Sequence, residues 1–140
     1  NFFNNADWPG IIRAKGFFWI STRPDFVGDI SQAGSLIRHQ GMGLWWASIA
    51  KDQWPQTPEF KQLLKDRWNE VSGDRRQEIV FIGLKGEVDE NLIRKQLDDC
   101  LIKDYWETPE KYSDLPDPFP SWNIEENLEE NSEEYIEEVF

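Results

Sequence analysis

The order of patterned segments along these 140 residues predicts an α+β fold, an open antiparallel sheet with helices packed on one face. Three observations lead there. Runs rich in aromatic and β-branched residues at 11–20, 29–40 and 77–83 read as strands. Two segments, 57–68 and the stretch after Asp89, repeat their apolar residues at helical spacing. The two kinds follow one another as strand, strand, helix, strand, helix.

Ile11 to Ile20 (IIRAKGFFWI) forms the first strand, with an irregularity expected at Gly16. Its second half, Phe17-Phe18-Trp19-Ile20, is apolar on both faces, which suits a covered central strand, and Arg23-Pro24-Asp25 breaks it. A second strand spans Asp29–Gln40, interrupted at Gly34. Gly41 and Gly43 then loosen the chain before Leu44-Trp45-Trp46-Ala47, a further strand or the start of a loop. Thr57 fits an N-cap, Pro58 the first helical position and Glu59 the positive end of the helix dipole. Phe60, Leu63, Leu64 and Trp68 share one face of that helix. After a turn at Ser72-Gly73-Asp74, Gln77–Gly83 is a short apolar strand expected to be buried on both sides. Asp89 caps a second helix whose inward stripe is Leu92, Ile93, Leu97, Cys100 and Leu101. Asn1–Asp7 reads as the end of an earlier element, and the strand that should precede it is missing, as if the chain were cut from a longer one. A sheet edge left uncovered in this way predicts a homodimer, an exchange of elements, or coverage by the tail.

The chain carries eight Trp, nine Phe and three Tyr, so a core can be built from few large side chains. Its net charge of −12 is unevenly placed. Residues 1–103 hold 14 acidic and 14 basic side chains, whereas 104–140 hold 13 acidic residues and the single base Lys111. Three units follow: a charge-balanced body over 1–103, a Pro- and aromatic-rich extension over 104–122, and an acidic tail over 123–140 that is disordered or at most a marginal helix, since its crowded glutamates repel one another. The balance excludes nucleic-acid binding, which needs a basic face to displace counterions. No apolar run has membrane-spanning length. The lone cysteine points to a reducing, cytoplasmic setting.

Catalytic chemistry is hard to build from these residues. No G-x-x-x-x-G-K-[ST] loop is present, and Gly41-Met42-Gly43 is too short to cradle a phosphate. His39 alone is available as a general base, and Cys100 lies on an apolar stripe, where a thiol is buried and inert. One His and one Cys cannot make a zinc site unaided. His39 is either a partly exposed strand residue or one ligand of a site shared with another domain. The tail glutamates are a solvated face or a loose cation sink. Arg13, Arg38, Arg75 and Arg76 sit on or beside strands. They either pair with Asp29, Asp74 and Glu78 at strand ends or gather as an anion-facing patch or interdomain contact. In an extended segment Trp45 and Trp46 point to opposite faces, which makes the outward one a contact for a partner or a seat for the tail.

Several stretches resemble the C-terminal domain of the CobW-like P-loop GTPases: Gly16–Pro24 (GFFWISTRP), Ser31–Gly34 (SQAG), Trp45-Trp46 and above all Gly73–Gly83 (GDRRQEIVFIG). Leu97–Leu101 (LDDCL) and Asp117–Trp122 (DPFPSW) extend the likeness to residue 122. The resemblance implies a ferredoxin-like sheet and a parent with an N-terminal GTPase domain that binds GTP with Mg and a transition metal, zinc or cobalt, by a cysteine-rich motif. In such a parent this segment is a non-catalytic regulatory and client-docking domain without a cofactor of its own. Its partners are the GTPase domain of the same chain and a client metalloprotein. On this reading the arginines face the GTPase domain, and exposed aromatics face the client. The histidine-rich stretches of some relatives are absent. A rival reading is a self-standing interaction module whose acidic tail binds a basic partner.

Overall fold

A computed structural model describes residues 8–122. Four strands form one antiparallel sheet in the order β3-β2-β1-β4: β1 is Ile11–Phe18, β2 Phe26–Ala33, β3 Leu36–Leu44 and β4 Glu78–Gly83. The α+β class holds, and β1 is an inner strand as expected, but it is not covered on both sides: Phe17 lines a face over which no described helix packs. The expected strand over 29–40 is two strands. Gly34, at φ +59°, takes the left-handed backbone of a tight hairpin and turns β2 back into β3. Gly16 pairs regularly with Ile30 and Ile79; the irregularity on β1 falls at Ile12 instead.

Two 3-10 turns, Trp46–Ser48 and Lys51–Gln53, follow β3 and lead to α1 (Pro58–Arg67). The Thr57 hydroxyl caps α1 by accepting from Phe60 N at 3.3 Å. Helix α2 (Glu90–Asp98) is capped by Asp89, which accepts from Leu92 N at 2.9 Å. A last short helix, α3, spans Glu110–Ser113. No described helix is long and apolar enough to cross a membrane.

The α2 stripe is narrower than expected. Ile93 is buried, but Leu92 and Leu101 are exposed, because the helix stops at Asp98 and releases Cys100 and Leu101 into a turn. Cys100 is therefore exposed rather than buried, and its thiol donates to the Gln96 carbonyl at 3.2 Å. Partial desolvation, then the Asp99 charge, pushes that thiol up, away from the reactive thiolate. Helix α1 keeps Leu64 inside and leaves Leu63 and Trp68 exposed.

The core lies on one face of the sheet. Ala14, Phe18, Gly28, Ile30, Gln32, His39, Gly41, Ile79 and Phe81 share it by register. Trp8 meets Phe81 edge-on at 5.1 Å and donates from Nε1 to Gln96 on α2 at 2.8 Å, fixing that helix over β4. The other half is covered by the Pro-rich extension: Phe119 stacks on Phe18 at 5.6 Å, and Trp122 lies against Gly41. A Cβ on residue 41 would come within 2.7 Å of the Trp122 Cβ, so glycine is what lets the indole lie flat on the strand.

Candidate functional site

Alternation along a strand sends the remaining side chains to the opposite face. These are Arg13, Lys15 and Phe17 on β1, Asp29 and Ser31 on β2, Leu36 and Arg38 on β3, and Glu78, Val80 and Ile82 on β4. No described helix covers this face. Val80 is 62% exposed and Ile82 56%, which corrects the expectation that 77–83 is buried on both sides. The segment is apolar on both faces as read, but β4 is an edge strand and its second face has no covering layer among the described residues.

A shallow concavity of about 400 Å³ lies there, floored by Phe17, Val80 and Ile82 and edged by Arg13, Lys15, Asp29 and Glu78. The Arg76 guanidinium sits over the Phe17 ring at 5.1 Å and bridges to Glu78 at 2.9 Å, which pins it at the margin. Burial pushes the Asp29 carboxyl above the ordinary carboxylate range, and the Lys15 charge offsets only part of that. The face is thus apolar at its centre and mixed in charge at its rim.

The predicted site residues divide between this face and the interior. Arg13 and Arg38 share the open face but stand two strands apart, across β2. Arg76 joins them at the margin. Arg75, its neighbour in sequence, points the other way and is spent internally: Nε donates to Pro24 O at 2.9 Å, Nη2 to Ser48 Oγ at 2.7 Å and Nη1 to Ser72 O at 3.3 Å, with Asp25 at 3.6 Å. Trp45 is 3% exposed. Trp46 does not alternate outward as on a strand, because the chain leaves the sheet at Leu44 and coils; its ring packs on Phe60 at 4.7 Å. Asp74 accepts from the Trp46 and Ala47 amides at 3.0 and 2.9 Å and holds that coil in place. His39 lies on the covered face, edge-on to Phe119 at 4.8 Å, with Nδ1 buried and without a hydrogen-bond partner among the described residues. Among the described residues no three His, Cys, Asp or Glu side chains converge to hold a metal ion.

Sequence reasoning missed Arg23. Its guanidinium takes Asp117 from both sides and the carbonyls of Phe119 and Pro120 at 2.7 and 2.8 Å, strapping the extension to the sheet. Burial alone would raise the Asp117 carboxyl, but bonds from Arg23, the Phe119 amide and Thr22, with the Arg23 charge, hold it below its usual value. The available signal was the pair of resembling motifs, Gly16–Pro24 and Asp117–Trp122, which turn out to touch one another.

Residues 1–101 match the family model described as cobalamin synthesis protein cobW C-terminal domain. A zinc-regulated GTPase metalloprotein activator of Dictyostelium discoideum is 34% identical over 112 residues, 74% of this chain and 23% of that protein. A zinc chaperone of Mycobacterium tuberculosis is 25% identical over 115 residues, 81% of this chain and 29% of that protein. No solved structure matches. The chain therefore spans 23–29% of the length of these relatives. It belongs to the cobW C-terminal domain family.

Proposed function

We propose that this domain is the non-catalytic regulatory and client-docking part of a GTP-dependent zinc metallochaperone. One observation carries the reading: Val80 and Ile82, on an edge strand, stand outward beside Arg13, with Arg38 on the far strand of the same sheet face, which no described element covers. Exposed apolar area of this kind marks a contact surface. The occupant is the GTPase domain of the same parent chain, consistent with relatives about three times as long. GTP, its magnesium and the transition metal belong to that domain. The present domain senses its state through the open face and acts on a client metalloprotein in the cytoplasm. Separated from its parent, it pairs with a second copy through the outer edge of β4, which leaves the open face free.

Hydroxyl-radical footprinting of Phe17, Val80 and Ile82 tests the assignment. Labelling is expected to fall in the full-length parent relative to the isolated domain. Equal labelling in both overturns the docking face. GTP turnover or stoichiometric tight zinc binding by the isolated domain overturns its non-catalytic role.

A further inference from the structure

A second surface lies away from the open face. Between the 3-10 turns and α1 runs a groove of about 620 Å³. Trp54, Phe60 and Trp68 line it as an aromatic wall, with Trp54 at 6.3 Å from Phe60 and 5.4 Å from Trp68. The Trp54 indole N–H is committed to the Ile49 and Trp46 carbonyls at 3.0 and 3.2 Å, which fixes the ring. Lys51, Lys61 and Lys65 stand along the groove, against the single acid Glu70, and Lys51 Nζ lies 5.8 Å above the Trp54 ring. An apolar wall with a cationic rim fits a segment that is both apolar and acidic.

We infer that this groove is the seat of residues 123–140 of the same chain. That stretch holds eight glutamates and no base, interleaved with Ile124, Leu128, Tyr135, Ile136, Val139 and Phe140. Its starting point is suitably placed. Trp122 lies beneath the Arg23 guanidinium at 4.4 Å; two residues on, Asp25 accepts from Ser48 Oγ at 2.7 Å; and the next residue, Ile49, supplies a carbonyl to Trp54. The groove is thus a few side-chain contacts from Trp122, whereas eighteen residues reach about 60 Å when extended. Tethering at that range gives an effective concentration on the order of millimolar, which favours this occupant over a free acidic peptide.

The test uses the full chain and follows the indole N–H resonances of Trp54 and Trp68 by NMR. Leu128→Ser/Tyr135→Ser/Ile136→Ser, which alters nothing in the described body, is expected to shift both resonances. Lys61→Glu/Lys65→Glu is expected to move them the same way, and high salt to reduce the difference between wild type and both variants. Unshifted indole resonances in the triple variant overturn the inference. So does a shift that appears instead around Arg13 and Arg38, which would place the segment on the open face. A shift that grows with protein concentration also overturns it, because the occupant is then the segment of a second copy.

Discussion

The Arg23 guanidinium grips the Asp117 carboxylate at both oxygens, Nε to Oδ2 at 2.6 Å and Nη2 to Oδ1 at 3.1 Å, across 94 residues of chain. A planar fork meeting a carboxylate in this way is stronger and more specific than a single surface ion pair. The pair sets the position of Phe119 and Trp122 over Phe18 and Gly41, so the covered face of the sheet depends on it.

Asp117→Asn is expected to cost about 1–2 kcal/mol, by analogy with other hydrogen bonds to charged groups. The folded-state value of Asp117 is lowered, so its stabilisation is complete above the unfolded carboxylate value of about 3.9 and is lost as pH falls through the lower folded value. Urea unfolding of wild type and Asp117→Asn should therefore converge in acid. A gap that widens as pH falls would contradict the strap.

Asp29 carries the opposite sign. Its folded-state value is raised, so the contribution that favours folding is present below the unfolded carboxylate value and is lost as pH rises through the folded one. Asp29→Asn is expected to be more stable than wild type at neutral pH, with the advantage shrinking as pH falls through the raised folded value and gone below the unfolded value of about 3.9. Chemical denaturation at the two pH values checks this, and a less stable variant at neutral pH would refute it.

The two faces should respond differently to truncation and charge. Ile30 is fully buried, and Ile30→Ala is expected to cost about 2–5 kcal/mol. Val80→Asp/Ile82→Asp should change the stability of the isolated domain by only about 1 kcal/mol, because both side chains already meet water. In the full-length parent the same pair is expected to weaken the contact between domains, read as increased labelling of Phe17.

Asp74 is buried and accepts two backbone amides at the start of the first 3-10 turn. Asp74→Ala leaves both donors without their partner and is expected to cost about 2 kcal/mol, with loss of the Trp46–Phe60 contact visible in near-ultraviolet circular dichroism. Retention of the near-ultraviolet spectrum would show that the coil holds itself.

Local chemistry made much of this legible. Thr57 and Asp89 cap the helices as read, because a cap needs only its own side chain and an amide three residues on. β1 is an inner strand as read, but the cover expected on both of its faces is found on one only, since Phe17 lines the open side. Partnership across long separations was harder to read. The doubly apolar pattern in β4 implies burial on both sides, yet one side has no covering layer among the described residues. Arg75 and Arg76 are identical in sequence and opposite in use, since alternation and local acceptors decide which one is consumed. Trp45-Trp46 misled because strand alternation stops where the chain coils, one residue too early for the rule. Arg23 went unread because its partner lies 94 residues away.

The division of side chains between the two faces has an optical consequence. None of the eight tryptophans falls at a register position on the open face, whose one aromatic ring is Phe17. A protein seated there leaves the indole chromophores largely unaware of it, so emission colour and quenching would stay nearly constant through complex formation. A ligand lying along Trp54 and Trp68 would alter both. The two surfaces of this domain are thus reported through separate spectroscopic channels, and a silent titration would point to the strands, not to an absence of binding.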